Sequence, residues 1–397
     1  MSHDIAPTRM EPTRIKEMSD TLADLSSELV AQAGQLAGRL HPRTMADMAG
    51  MVRLMNSCYS NQIEGNNTRP PEIERALAGT FDTDPARRAL QRENAAHIRL
   101  QAQIDAMALA VALPDPSGED FLKFLHAEFY RDTAPADLWV RDGVRIDPGE
   151  WRSHDVEIGL HVAPPAETVP AFMAHFHQRF RLDQMKGRTA RILGMATAHH
   201  RFAWIHPFQD GNGRVARLMS HAMACHAGIA AGGLWSVSRG LARGLADGVP
   251  GRQEYKEMLA TADRPRQGDR DGRGNLSLQG LISFATWFLK VCLDQIDFMA
   301  RLYDIRGLED RLTRYVASQG MHEGSMPLLR AMPTLGEVQR GAVPMIIGAS
   351  DSTALRLTRQ LVENGIIGSV TPKGALSLRF GSRTHDILFP RLFDVEG

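Results

Sequence analysis

The chain has 397 residues, enough to bury a large core and to divide into two or three domains. Lysine plus arginine and aspartate plus glutamate are balanced at 46 each, so no global field draws the protein to nucleic acid or to a membrane. With 43% hydrophobic and 23% charged residues it reads as an ordinary soluble globular protein, and no apolar run approaches the ~20 residues that span a bilayer. The N-terminus has no basic stretch followed by an apolar one, which argues against a secretion signal. Cys58, Cys225 and Cys292 lie far apart, form no CxxC pair and read as free thiols in a reducing compartment. A cytoplasmic protein without membrane partners is expected.

In chain order, Ile15, Met18, Leu22, Leu25, Leu29, Ala33 and Leu36 follow one another by steps of three or four. That spacing predicts a helix whose apolar stripe packs on the rest of the fold. A second helix is predicted over about 43–63, stopping at Gly65-Asn66-Asn67, and Thr68-Arg69-Pro70-Pro71-Glu72 reads as the next helix start. Helical periodicity then runs to about Tyr130. Between Asp147-Pro148-Gly149 and Pro164-Pro165, the residues Val156, Ile158, Leu160 and Val162 alternate with period two and predict a short hairpin. Helices are predicted again over 166–182, 187–204, after Asn212, and over 278–318, with a Gly-, Arg- and Asp-rich loop at 263–275.

From about Met326 the texture changes to helix, turn, helix (352–364) and two short strands around Lys373-Gly374. This order resembles a winged helix-turn-helix. Residues 352–383 carry Arg356, Arg359, Lys373, Arg379 and Arg383 against Glu363 alone, a local charge excess that suits DNA phosphates. Winged helices also serve as dimerisation or docking platforms.

The most informative stretch is His206-Pro207-Phe208-Gln209-Asp210-Gly211-Asn212-Gly213-Arg214-Val215-Ala216-Arg217. Pro207 biases His206 away from helical angles, so the preceding helix should end there and leave the imidazole on a loop. Val215, Leu218, Met219, Ala222 and Met223 give the following helix a buried stripe. Gly211-Asn212-Gly213 then sits at that helix's N-terminus, where free N–H groups and the positive dipole end bind anions. Arg214 and Arg217, three residues apart, can reach one pocket and fork onto phosphate oxygens. Asp210 is placed to hold Mg²⁺ through oxygen, and Phe208 should point inward and pin the loop. His199 and His200 have no HExxH or cysteine partner and read as structural, with His199 on an apolar face and His200 facing away.

Every specified position of this stretch matches the signature of the Fic family, His-x-Phe-x-(Asp/Glu)-Gly-Asn-(Gly/Lys)-Arg-x-x-Arg, which the chain therefore resembles. The resemblance implies ATP as co-substrate, Mg²⁺ as cofactor, and transfer of AMP to a Ser, Thr or Tyr hydroxyl of a target protein, with His206 taking the hydroxyl proton. It also gives Ser60 and Glu64 a role, because Ser60-Asn61-Gln62-Ile63-Glu64-Gly65 matches the family's inhibitory pattern (Ser/Thr)-x-x-x-Glu-(Gly/Asn). Glu64 would pair with Arg217 and occupy the place of the γ-phosphate. The hairpin bearing Val156, Ile158, Leu160 and Val162 would be the flap that pairs with an extended target segment. Glu254-Tyr255-Lys256 resembles a segment near the adenosine in which two adjacent tyrosines are usual, and here the second position is Lys256.

The resemblance covers about 45–300 and implies a mostly α fold: a Fic-type helical core with a β-hairpin flap, followed by a C-terminal winged-helix domain. The expected divisions are an N-terminal helical region (1–130), a catalytic core (131–318) and the winged helix (319–397). Self-modification, homo-oligomerisation and DNA as a partner of the C-terminal domain belong to the same set of expectations. Two alternatives stay open: removal of AMP by the same site, and a DNA-binding regulator with an ATP-sensing core.

Overall fold

The computed structural model describes residues 6–140, 143–159 and 161–393. Its helices are α1 (Asp20–Ala37), α2 (Pro42–Ile63), α3 (Pro70–Leu77), α4 (Pro85–Leu109), α5 (Glu119–Tyr130), α6 (Val169–Phe180), α7 (Arg188–Ile205) and α8 (Asn212–Ala227). They continue with α9 (Val237–Arg243), α10 (Gly251–Asp263), α11 (Leu278–Leu302), α12 (Ile305–Ser318), α13 (Met326–Leu335), α14 (Val343–Ile347), α15 (Asp351–Glu363) and α16 (His385–Leu388). The strands are β1 (Glu157–Ile158), β2 (His161–Val162), β3 (Glu337–Val338), β4 (Ile367–Gly368) and β5 (Leu376–Leu378). The fold is thus mostly α, with one small hairpin and a helix/strand module of winged-helix type at the C-terminus. Among the described residues no helix is long and apolar enough to cross a membrane.

Among the described residues one large apolar core runs from Met10 to Leu392, beside a small separate cluster of Leu54, Cys58 and Ile73. At its centre α7 packs on α8, with α6, α10 and α11 around α7 and α4 and α5 against α8. Helix α1 lies on α11, and α2 is wedged between α4 and α9. The predicted stripe of α1 holds for Leu22, Leu29, Ala33 and Leu36, which are buried. Ile15 and Met18 fall outside the helix, because Ser19 caps it: its side chain accepts from the Leu22 N–H, and the chain before it is extended. The predicted helix over 278–318 is two helices. Asp304 breaks it by accepting from the Gly307 N–H at 2.9 Å and starting α12.

The hairpin pairs Glu157 with Val162 and Ile158 with His161 in antiparallel register. The hairpin thus forms where the period-two alternation placed it, in a register the alternation does not fix. The apolar alternation runs through the turn, so Ile158 and Val162 project from opposite faces of the ribbon. Both are exposed, Val156 precedes the strand, and Leu160 lies outside the described residues.

At the C-terminus β3, β5 and β4 form an antiparallel sheet in that spatial order. The sequence reading found β4 and β5 but not β3, whose two residues carry no periodicity. This module rests on the start of α2: Thr44 Oγ1 donates to the Pro333 carbonyl at 3.2 Å, and Arg379 Nη1 meets Asp47 Oδ1 at 2.6 Å. Of the five basic side chains read as a DNA-facing set, Arg379 is thus committed to Asp47, and Arg383 Nη2 donates to the Glu363 carbonyl. Arg356, Arg359 and Lys373 are exposed.

Candidate active site

Helix α7 ends at Ile205, as Pro207 requires, but His206 takes a left-handed conformation (φ 50°, ψ 61°) and not the extended one usual before proline. That conformation is costly for a residue with a Cβ and has to be imposed from outside. Arg152 imposes it. Its guanidinium is fully buried and donates from Nε to the His206 carbonyl at 2.8 Å, from Nη1 to the His154 carbonyl at 3.1 Å, and from Nη2 to the Pro164 carbonyl. Its backbone N–H holds the Pro207 carbonyl at 2.8 Å.

The rest of the loop is closed from inside. Phe208 is wholly buried and stacks on His126, rings parallel within 2° and 3.9 Å apart. The Asn212 amide bonds both ways to the Phe208 backbone at 2.8 Å. His126 Nδ1 accepts from the Gly149 N–H, which leaves Nε2–H to donate to the Asp210 carbonyl at 3.2 Å. Gly211 sits at φ 79°, where a Cβ would be strained and would also press on the Tyr130 hydroxyl.

His206 Nδ1 lies 3.4 Å from the Ala203 carbonyl, which can only accept, so the proton belongs on Nδ1 and the lone pair on Nε2. Burial above all, reinforced by the positive charge of Arg152, pushes the imidazole down to about 4. At neutral pH it is an uncharged base.

The first ladder bond of α8 runs from the Val215 N–H to the Gly211 carbonyl at 3.0 Å, so the N–H groups of Asn212, Gly213 and Arg214 precede the helix's own pairing. A carboxylate already faces this end. Glu64 Oε1 lies directly over Gly213, where a Cβ would collide with it, and meets Arg217 Nη2 at 2.7 Å. Arg217 is buried and also donates from Nε to Ser60 Oγ at 2.8 Å and from Nη2 to the Ser60 carbonyl at 2.9 Å. Burial would raise the Glu64 carboxyl, but the charges of Arg217 and Arg214 outweigh it and hold it below the usual range.

Arg214 turns the other way. Nη1 reaches Glu93 Oε2 at 2.8 Å and Nη2 reaches Asp210 Oδ2 at 2.9 Å, with the guanidinium 4.8 Å over the Phe129 ring. The Tyr130 hydroxyl donates to the same Asp210 oxygen at 2.7 Å. Burial raises the Glu93 carboxyl more than Arg214 lowers it, whereas at Asp210 Arg214 and Tyr130 win against burial and keep it ionised. Asp210 is 45% exposed, an oxygen donor open to solvent beside the anion cradle. The donor set fits Mg²⁺ with a polyphosphate: a carboxylate for the hard cation, and N–H groups and the Arg217 guanidinium for the phosphates, while Arg214, expected to reach the same pocket, is instead committed to Glu93 and Asp210.

Two sequence expectations need correction. Tyr255 lies in the core, its hydroxyl bonded to His199 Nε2 at 2.7 Å and its ring nearly parallel to Trp287, so that hydroxyl is already engaged within the protein. His200 does not face away. α7 has helices on all sides, and His200 is as buried as His199, bonding Asp263 at 3.1 Å. Neither histidine joins His206 in a metal cluster among the described residues. Sequence reasoning missed His126, Tyr130, Arg152 and Glu93. The i, i+4 spacing of His126 and Tyr130 on one face of α5 was a usable signal, but nothing local marks Arg152 or Glu93.

The Fic/DOC family profile matches residues 116–224. The protein adenylyltransferase Fic of Nematostella vectensis is 26% identical over 175 residues, 43% of this chain and 37% of that protein. The protein adenylyltransferase Fic of Aedes aegypti is 35% identical over 89 residues, 21% of this chain and 16% of that protein. The match thus spans well under half the length of these relatives. Among solved structures, a Fic family protein from Desulfovibrio desulfuricans G20 covers 91% of this chain and 97% of its own at TM-score 0.51 and 19% identity. A Fic domain containing signaling protein from Bacteroides thetaiotaomicron VPI-5482 covers 70% and 96% at TM-score 0.52 and 20% identity, and both share the fold. The 206–217 loop and all but the last three residues of α8 lie inside the segment, residues 116–224, that matches the Fic/DOC family profile.

Proposed function

We propose that the protein transfers AMP from ATP to a Ser, Thr or Tyr hydroxyl of a target protein, and that Glu64 holds this activity off. The observation that carries the reading is the junction between the end of α7 and the start of α8: a neutral His206 with its lone pair on Nε2 beside an anion cradle occupied by a carboxylate. In the transfer, Nε2 takes the hydroxyl proton, the hydroxyl oxygen bonds to the α-phosphorus, and the bond to the β-phosphate oxygen breaks to release pyrophosphate. Arg217 and the α8 N–H groups would hold the outer phosphates, and Asp210 would hold Mg²⁺, which supplies positive charge to the leaving pyrophosphate. The exposed hairpin would bind the target's extended segment as an added strand.

Glu64 supports inhibition by occupying the cradle itself. Keeping the competent state near 1% takes only about 2.7 kcal/mol, within reach of the Glu64–Arg217 ion pair together with the space the Glu64 side chain fills over Gly213. The test is labelled AMP incorporation into cell lysate, read with mass spectrometry of the acceptors. Glu64→Gly should label strongly, wild type weakly, and His206→Ala not at all in either background. Equal labelling by wild type and Glu64→Gly would remove the inhibitory role, and labelling by His206→Ala would remove the base.

A further inference from the structure

A cluster of ligating side chains lies at the C-terminal half of α8, away from the loop that precedes the helix. Asp105 of α4 and His221 and Cys225 of α8 bring a carboxylate oxygen, an imidazole nitrogen and a sulfur within 4.8 Å of one another. His221 and Cys225 are four residues apart, so both project from one face of α8 toward α4. His221 Nε2 meets Asp105 Oδ1 at 2.6 Å, and the second carboxylate oxygen is held by Arg53 Nη1 at 2.9 Å. His221 is buried, while Asp105 and Cys225 are only partly so, which leaves a path for a small ion.

We propose that Asp105, His221 and Cys225 form a binding site for a borderline-soft divalent cation, zinc in the first place, that staples α4 to α8. The donor set selects the metal: one oxygen, one nitrogen and one sulfur suit zinc, whereas magnesium and calcium take oxygen alone. The size is right within a small adjustment. Zinc bonds of roughly 2.0–2.3 Å in a tetrahedron put ligand atoms roughly 3.3–3.8 Å apart, so the imidazole and carboxylate open by less than about an ångström. Arg53 then does what partners of ligating carboxylates usually do, fixing the far oxygen so the near one faces the ion. On binding, the Cys225 thiol proton leaves to solvent, the His221 proton resides on Nδ1, and a water completes the fourth position.

The position gives the site a consequence. Helix α4 carries Glu93 and α8 carries its partner Arg214, so a cation bridging Asp105 to His221 and Cys225 would brace the two helices that hold that pair. This inference does not depend on the transfer reaction, and magnesium at Asp210 would not compete for a sulfur-containing site.

The experiment uses the full chain, stripped with a chelator and titrated with Co²⁺ as a spectroscopic stand-in for zinc. One equivalent should produce a thiolate-to-cobalt charge-transfer band and intense tetrahedral visible bands, both bleached by Zn²⁺. Cys225→Ala should remove the charge-transfer band, and His221→Ala should weaken binding by ~10-fold or more. As a measure needing no variant, Zn²⁺ should slow alkylation of Cys225 in the native chain, while Cys58 and Cys292, buried with or without metal, report no change. Absence of the charge-transfer band, its persistence in Cys225→Ala, or alkylation unaffected by zinc would overturn the site.

Discussion

Replacing Glu64 by glutamine separates charge from bulk in the proposed inhibition. The side chain does two things: its charge pairs with Arg217, and its volume fills the space over Gly213. Opposite charges whose centres lie about 4 Å apart attract by about 4 kcal/mol at an effective dielectric of ~20. Glu64 is 35% exposed while Arg217 is 1% exposed, so solvent screening on one side leaves ~1–2 kcal/mol of that attraction. Glutamine loses this charge term but keeps an acceptor for Arg217 and the same volume. At 1.36 kcal/mol per decade, Glu64→Gln should raise kcat/KM for ATP by ~5–30-fold. Glu64→Gly removes volume as well and should reach ~100-fold, matching a resting competent fraction near ~1%. The assay is initial-rate AMP incorporation across ATP concentrations for the three proteins. If glutamine activates no more than wild type, the charge does nothing; if it equals glycine, the volume does nothing. Either result refutes the two-part argument.

Further outcomes follow from the loop and the core. Because burial holds His206 near 4, the base form is present above that value and lost as pH falls through it; in a Glu64→Gly background kcat/KM should stay flat from about pH 8 to about pH 5.5, and an inflection near 6.5 would contradict the buried base. Arg152→Met leaves three carbonyls without their donor and frees His206 from its left-handed conformation, so kcat should drop by ~10²-fold with KM for ATP changed less, in the same background. Asp47 is 7% exposed and Arg379 34%, so Arg379→Met, which leaves the buried carboxylate only its 3.5 Å contact with Arg43, should cost ~1–2 kcal/mol by calorimetry and Asp47→Asn less than ~1. Equal costs would place the burial asymmetry in error. Gly211→Ala, forcing a Cβ at φ 79° against Tyr130, should destabilise by ~1–3 kcal/mol and weaken nucleotide binding.

Much of the site was readable because it is local. Helix end, base, turn and anion-binding helix start are one continuous segment, and each is dictated by proline, glycine or periodicity within a few residues. The spacing of α8's apolar residues alone placed Gly211-Asn212-Gly213 at its start. What the sequence could not give is contact across distance. The Glu64–Arg217 bond joins residues 153 positions apart, and only a family pattern pointed to it. Glu93 and Arg152 had no pattern at all: a glutamate in a long polar helix and an arginine after a tryptophan look like surface residues until packing buries their partners. Tyr255 failed for the opposite reason. A local resemblance suggested an outward role, while the all-round burial of α7 gave its hydroxyl a partner in His199. The hairpin itself was legible in the alternation but its register was not: Glu157 pairs with Val162 and Ile158 with His161, which sets Ile158 and Val162 on opposite faces.

Helix α2 deserves to be seen as a strut. Its first turns are pinned to the C-terminal module through Thr44 and Asp47, and its last turn delivers Ser60 and Glu64 to Arg217. With 22 residues it spans roughly 33 Å without a break. Under the proposed inhibition by Glu64, a stiff rod seated at both ends would tie the resting activity to the seating of a module that contains none of the proposed chemistry. Grafting a foreign C-terminal segment onto this domain would therefore alter its basal output unless the residues of α2 that receive the graft were changed to match.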